Sequence, residues 1–317
     1  MEQAQPDVER TRAVGRVLAV TLALNLLVAL SKIAYGTLAD SLSIRADGFH
    51  SLTDSANNLV GLVGVWLAGR PADEGHPYGH HKFEIIAAGL VGLSLLAMAY
   101  DVASGAVGRL MHGHHSVPEL DAWAFVVLIV TLAVNAFVAT WEKRRGQELS
   151  SAMLLGDATH TRSDVLVTSG VLVTVVCVRL GLTGVDVVAA LGIAGFIAFA
   201  GVQVLRTNLG YLADGAILDP APIEALACTI PGVASAHKVR TRGSPGRIYV
   251  DLHIQVAPSL DVVQAHRVTH WVIDAIKKRY PDVRDVLIHT EPARPEQPFT
   301  PLPETSARVP EPGGKDP

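Results

Sequence analysis

One polar pattern, Asp-x-x-His-x-x-x-Asp, occurs twice in this sequence, with the copies 110 residues apart. The members are Asp47, His50 and Asp54 in the first copy and Asp157, His160 and Asp164 in the second. Spacings of three and four residues place each trio on one stripe of an α-helix, about one turn apart. Imidazole nitrogens and carboxylate oxygens are ligands with which zinc forms tetrahedral sites. Two such stripes that face each other would hold a divalent cation.

Each copy lies in a stretch hydrophobic enough to cross a bilayer, where a charged group costs about 2.5–3.5 kcal/mol. The predicted intramembrane metal ligands are His50, Asp54, His160 and Asp164. A complete ligand set favours metal binding over polar side chains that only join helices. Asp47 and Asp157 stay open as acceptors that orient the imidazoles, as proton carriers, or as partners of Arg45 and Arg162.

The composition indicates a membrane protein with a soluble extension. Of the 317 residues 49% are hydrophobic and 18% are charged, whereas soluble domains carry about 25% charged residues. The net charge of −4 gives no indication of nucleic-acid binding. Cys177 and Cys228 are too few and too far apart for a disulfide framework or a thiolate metal site. The polar N-terminus favours a retained first span over a cleaved signal peptide.

Six spans of about 20 residues, enough for the hydrocarbon core of a bilayer, form a predicted all-α transmembrane domain over 14–207. They cover 14–36, 42–68, 83–108, 121–142, 151–179 and 185–205. An even number puts both termini on one side, and the excess of Lys and Arg on that side predicts that it is cytoplasmic. We therefore expect a multi-pass protein of the cell (inner) membrane with a cytoplasmic N-terminal segment, residues 1–13.

Residues 208–291 read as a small cytoplasmic α+β domain with the element order αββαβ. We expect a hairpin turn at 243–246, an alternating strand over 248–256, and a helix over 260–279 that Ser259 caps. A domain this small gains from pairing with a second copy. The proline-rich, polar tail, 292–317, is expected to be disordered.

Two further groups of candidate ligands lie outside the spans. In the loop between spans two and three, Asp73, His76 and His80 repeat the three-then-four spacing and leave an open coordination position. The soluble domain carries five histidines that, with Asp251 and Glu291, predict a metal-binding face: His237, His253, His266, His270 and His289. The alternative for both groups is a polar surface with incidental histidines.

Four segments resemble the cation diffusion facilitator family, above all its bacterial zinc and iron efflux members. They are ADGFHSLTD, DEGHPYGHHKFE, GDATHTRSD and PGVASAHKVRTRGSPGRIYVDLHIQV, and the resemblance covers about residues 13–291. It implies a homodimer with six spans per subunit, a metallochaperone-like cytoplasmic domain, and exchange of divalent cations for protons.

The resemblance also implies residue roles. The intramembrane ligands named above would be the transport site, and Asp73, His76 and His80 an interfacial loop site. The cytoplasmic metal-binding positions would be His237, His253, His266, His289 and Glu291. Lys82 and Asp214 resemble a pair that locks the dimer near the membrane surface.

The function expected from these features is efflux of a divalent cation, without enzymatic activity or cofactor, in exchange for protons. The ligands favour Zn²⁺, admit Fe²⁺, Cd²⁺ and Co²⁺, and disfavour Mn²⁺, which prefers more oxygen. An intramembrane metalloenzyme would need an open position and a general base, and no Glu lies near either pattern. A membrane-anchored metal sensor is the other alternative, although an anchor has no reason to carry ligands in its interior.

Overall fold

The computed structural model divides into two compact units between Leu209 and Gly210. The residues that it describes are 4–38, 42–112, 122–179 and 185–293. The tail from 294 onward lies outside them, as do the side chains of Asp47, His50 and Asp54.

The first unit consists of six long helices in the described part of the chain. They are α1 (Ala4–Leu38), α2 (Leu42–Ala68), α3 (Lys82–His112), α4 (Ala122–Glu148), α5 (Ala152–Arg179) and α6 (Val185–Leu212). Four of them, α1, α3, α4 and α6, are long and apolar enough to cross a membrane, whereas the apolar part of α2 is the shorter Ser55–Ala68. The helical transmembrane domain is therefore confirmed. Six crossings stay a prediction, because α2 and α5 do not meet this criterion over their described residues.

Apolar packing joins these helices. One buried cluster combines Leu18 of α1, Val91 of α3 and Met153 of α5, and a second combines Leu95 of α3 with Ile197 of α6. The helices α1 and α2 approach closely at Gly48, where an added Cβ would lie 2.8 Å from the backbone nitrogen of Ile33.

A partly buried ion pair connects α1 and α3 with the turn between α4 and α5. Arg10 Nη1 lies 3.1 Å from Glu84 Oε2, and the same guanidinium donates to the backbone oxygens of Leu149 and Ser150 at 2.7 and 2.9 Å. Ser151 Oγ donates to Glu84 Oε1 at 2.5 Å. Glu84 is 6% exposed. A buried charge requires both an ion pair and hydrogen bonds, and these contacts supply them.

The second unit is a three-stranded sheet covered by two helices. Its elements are α7 (Pro220–Cys228), β1 (Val233–Ser244), β2 (Arg247–Val256), α8 (Val262–Arg279) and β3 (Val283–Pro292). The strand order is β1-β2-β3, with β1 antiparallel and β3 parallel to β2. Alternate residues of β2 are buried along its whole length and pack against α8 residues such as Trp271 and Ile276. The predicted αββαβ order and the alternation of β2 are confirmed.

Three local details differ from the sequence-based expectation. The N-cap of α8 is Asp261 rather than Ser259, because Asp261 and Gln264 form a reciprocal capping box. The strand β1 continues to Ser244, which pairs with Arg247. At the other end of the sheet, the N–H of Ala293 donates to the oxygen of Val256 at 2.7 Å, so ordered structure continues past residue 291.

Substituting Gly48 with Ala should lower the melting temperature of the detergent-solubilised full-length protein. The new methyl group would press on the α1 backbone, and overpacking of this kind costs about 1–3 kcal/mol. Gly89→Ala is the matched control, because a Cβ there meets nothing within 4 Å and a helical alanine is favoured over glycine. Equal melting temperatures for the two variants would contradict the close approach of α1 and α2.

Candidate metal sites

In the α5 copy of the pattern, a buried histidine lies beside a half-buried aspartate. His160 is 4% exposed, and its Nε2 lies 3.9 Å from Asp164 Oδ2, one turn later. Asn57 of α2 places its Nδ2 at 3.2 Å from the same Nε2. With the amide as donor, Nε2 is the acceptor nitrogen of a neutral imidazole, which is the form that binds a metal.

Helices α2 and α5 meet at two asparagines of α2. Besides the contact of Asn57 with His160, Asn58 Nδ2 donates to Asp157 Oδ2 at 2.5 Å. Asp157 is 1% exposed, whereas Arg162 is exposed. Within the described residues, Asp157 therefore bonds to an amide of α2 rather than to the arginine considered as its partner.

A polar stripe on α1 extends this contact, and the sequence analysis missed it. Asn25 Nδ2 donates to Asn58 Oδ1 at 2.9 Å, and Lys32 Nζ donates to Ser51 Oγ at 3.0 Å. Lys32 is 4% exposed. The available signal was the seven-residue spacing of Asn25 and Lys32, which puts both on the face of α1 that meets α2. Buried ionisable groups in a membrane helix indicate a functional region.

The loop residues Asp73, His76 and His80 form one compact group whose ligand atoms all lie within 4.8 Å of one another. Asp73 Oδ1 accepts from the backbone N–H of His76 at 2.7 Å, and His80 Nε2 lies 3.3 Å from Asp73 Oδ2. The ring of His80 is held by a contact of 3.0 Å between its Nδ1 and the oxygen of Pro71. Such a contact to the second nitrogen orients a histidine ligand. Gly79, with a φ of 82°, provides the turn.

Asp73 is ionised in this loop at neutral pH. Desolvation pushes the pKa of its carboxyl up, but the hydrogen bonds from the backbone and ring of His76, with the charge of His80, hold this pKa below its ordinary value. The group therefore offers one carboxylate and two imidazoles, which suits a zinc site with an open position.

Three histidines form a row across the sheet of the second unit. His237 of β1 pairs in register with His253 of β2, which pairs with His289 of β3. Their neighbouring ring centroids are 5.4 and 4.7 Å apart. The row lies on the face opposite the core, because alternate residues of β2 are buried.

Glu291 completes this histidine row. Its carboxylate oxygens lie 2.8 Å from His253 Nδ1, 3.3 Å from His237 Nε2 and 3.9 Å from His289 Nε2. The ligand atoms of His237, His253 and Glu291 all lie within 4.8 Å of one another. The hydrogen bond with His253 is the main reason that the pKa of Glu291 is lowered, with smaller contributions from Gln255 and the charge of His237.

His266 does not join the row in this chain. It lies on α8, where its Nε2 is 3.1 Å from the Nε2 of His270. The resemblance to the cation diffusion facilitator family had placed it among the cytoplasmic metal-binding positions. In the described structure it belongs to an exposed pair of histidines one helical turn apart.

Two family models match almost the whole described chain. The cation efflux transmembrane domain matches residues 18–213, and the cytoplasmic domain of cation efflux proteins matches residues 218–293. The chain belongs to the cation diffusion facilitator family. Members of this family are transporters and not enzymes, which excludes the metalloenzyme alternative.

Relatives of the cation diffusion facilitator family match over most of their length. An uncharacterised transporter of Methanocaldococcus jannaschii is 32% identical over 279 residues, which are 87% of this chain and 96% of that protein. The cation-efflux pump FieF of Cronobacter sakazakii is 32% identical over 89% of this chain and 93% of its own. The copper form of the MamM C-terminal domain is 24% identical, covers 26% of this chain and 80% of its own, and has a TM-score of 0.24.

The second unit of this family member, expressed as residues 208–293, should bind Zn²⁺ at the histidine row, because it has its own core and groups three ligands on one face. Zn²⁺ binding should raise the melting temperature of this fragment. At a free Zn²⁺ concentration of 100 times Kd, the free energy of unfolding should increase by about 2.7 kcal/mol. Binding should tighten from pH 6 to 7.5, because neutral imidazole with an ordinary pKa of about 6.5 is the ligand and Glu291 is already ionised there.

Calorimetry with His253→Ala and the control His270→Ala tests the assignment. His253→Ala should lose the high-affinity Zn²⁺ site. His270→Ala, which changes an exposed side chain of α8, should keep it. Equal zinc affinity in the two variants would contradict a site at the row.

Proposed function

We propose that this protein exports a divalent cation, Zn²⁺ before others, across the cell (inner) membrane in exchange for protons. The metal would cross at a tetrahedral site formed by His50 and Asp54 of α2 with His160 and Asp164 of α5. N- and C-termini would be cytoplasmic, and two copies of the chain would form the working dimer.

One observation supports this proposal above the others: Asn57 of α2 touches the buried His160 of α5. Asn57 follows His50 by seven residues and Asp54 by three, so the three positions share a helical stripe. The contact therefore supports the proposal that the ligand stripe of α2 faces the ligand pair of α5. Four ligands from two helices would fill the tetrahedral coordination of zinc.

Proton exchange would follow from the chemistry of these ligands. An imidazole binds metal only when it is neutral, so metal and protons compete for His50 and His160. If the site opens to one side at a time, this competition becomes antiport. Export of a divalent cation against a negative interior costs about 4.6 kcal/mol per 100 mV, and one entering proton returns about 2.3 of that. Further protons or the pH gradient would supply the remainder.

The loop and the sheet would have supporting roles. The group of Asp73, His76 and His80 would modulate affinity or dimer packing, with Lys82 and Asp214 as a lock between subunits. The histidine row would report the cytoplasmic metal concentration. A sensor that only uses the helices as an anchor is disfavoured, because His160 is buried inside the helical unit.

The proposal is tested by transport into everted membrane vesicles with a panel of metals and an imposed pH gradient. We expect Zn²⁺ uptake to be fastest, Fe²⁺, Cd²⁺ and Co²⁺ to compete with it, and Mn²⁺ to be weak. Uptake should collapse when the pH gradient is dissipated. Mn²⁺ uptake faster than Zn²⁺, or uptake indifferent to the pH gradient, would contradict the proposal.

Replacing Asp54 or Asp164 with Ala should abolish zinc transport and leave the dimer intact, since each change removes one of four ligands. Asp101→Ala is the matched control, because Asp101 is an exposed acid in α3 and should leave the transport rate within about twofold, as is usual for exposed sites. Proton-coupled zinc flux in the Asp164 variant would remove this residue from the transport site.

The triple change Asp73→Ala, His76→Ala and His80→Ala should alter zinc affinity or dimer packing but keep measurable flux, because the loop lies outside the transport site. Glu74→Ala, in the same loop and exposed, controls for a general effect of the loop's charge. A triple variant as inactive as Asp164→Ala would place the loop on the transport path.

A further inference from the structure

A second polar site lies inside the helical unit, and it includes none of the proposed metal ligands. Glu142 of α4 is completely buried, and Asp157 of α5 is 1% exposed. The two carboxyl groups are neighbours, with Thr21 of α1 and Thr161 of α5 beside Glu142. Glu142 lies in the span Phe125–Glu148, where an ionised and unpaired carboxylate would be costly.

The surroundings of Glu142 favour a protonated carboxyl group. Neither of its carboxylate oxygens makes a well-formed hydrogen bond, and the buried hydroxyl of Thr21 makes none either. Among the described residues, Thr21 of α1 and Asp157 and Thr161 of α5 interact with Glu142. The next residue on α4, Lys143, is exposed. A proton on Glu142 would remove its charge and turn one acceptor into an O–H donor.

Asp157 is already oriented as the acceptor for that proton. Asn58 donates to Asp157 Oδ2, and the amide of Asn58 is itself fixed by the donor Asn25. A carboxylic acid next to a carboxylate is the arrangement in which two buried acids share a single proton.

We infer that Glu142 carries a proton that leaves when metal binds and returns when metal leaves, which makes it a proton-binding residue of the exchange. This inference rests on the proposed antiport. His160 and Asp164 follow Asp157 by three and seven residues, so a cation held by both would add two positive charges roughly 5–10 Å along the helix from Asp157 of the acid pair. That charge favours breaking the O–H bond of Glu142, and the released proton goes to water.

The test counts protons released per Zn²⁺ bound by the detergent-solubilised full-length protein, in weak buffer at pH 7 with an indicator dye. Glu142→Gln should release about one proton fewer per zinc than wild type, because the amide has no proton to give, and should keep zinc affinity within about threefold. Glu148→Gln, an exposed carboxylate on the same helix, should match wild type. An unchanged proton count in Glu142→Gln would overturn the inference while leaving the zinc site intact.

Infrared difference spectroscopy provides a second test, which does not depend on the folding of Glu142→Gln. Wild-type protein should lose a protonated-carboxyl C=O band when Zn²⁺ is added, and Glu142→Asp should shift that band while it restores proton release. Absence of the band in wild type would overturn the inference. A wild-type protein that binds no Zn²⁺ at all would instead contradict the proposed function.

Discussion

Burial of ionisable side chains in a membrane is the constraint on which the rest of this structure depends. Such groups have to be paired, neutral or bound to metal. Glu84 meets the constraint with Arg10 and Ser151, and Asp157 meets it in part with Asn58. His160 Nε2 lies 3.9 Å from Asp164 Oδ2, and the proposed cation would bind at this pair. The asparagines of α1 and α2 orient these groups without adding charge.

Periodicity made much of the fold predictable from the sequence. The three-then-four spacing put each polar pattern on one helical face, and the period of two in β2 separated the core from the face that carries His253. Cross-strand register is not encoded in that period. The row of His237, His253 and His289 depends on strand pairing and on the irregularity between His237 and Arg240, so the sequence could suggest only a face and not a row. For the same reason it could not separate His266 from the row.

The polar interior of the helical unit was the least predictable part. Asn25, Lys32 and Glu142 are single polar residues in apolar helices, and their partners come from other helices. Glu142 also precedes Lys143, Arg144 and Arg145, so in the sequence it resembles the charged end of a helix. The structure buries it completely, because α4 continues to Glu148. Tertiary packing, which local sequence does not specify, decides whether such a residue faces water or another acid.

The three groups of ligands differ in their access to water, which fits different tasks. The α5 pair combines a buried His160 with a half-buried Asp164, the loop group combines a buried His80 with an exposed Asp73, and the histidine row lies on an open sheet face. A cation bound at an open face exchanges with the surrounding solution. A cation bound between α2 and α5 can exchange only when the helices give it access, which is what transport by alternating access requires.

Zinc X-ray absorption spectroscopy tests the transmembrane site most directly. The sample is full-length protein with Asp73→Ala, His76→Ala, His80→Ala and His253→Ala, loaded with one equivalent of Zn²⁺. We expect four nitrogen and oxygen ligands at about 2.0–2.2 Å, two of them imidazoles. Six-coordinate zinc, a single imidazole, or failure to retain the metal would contradict a site built from His50, Asp54, His160 and Asp164.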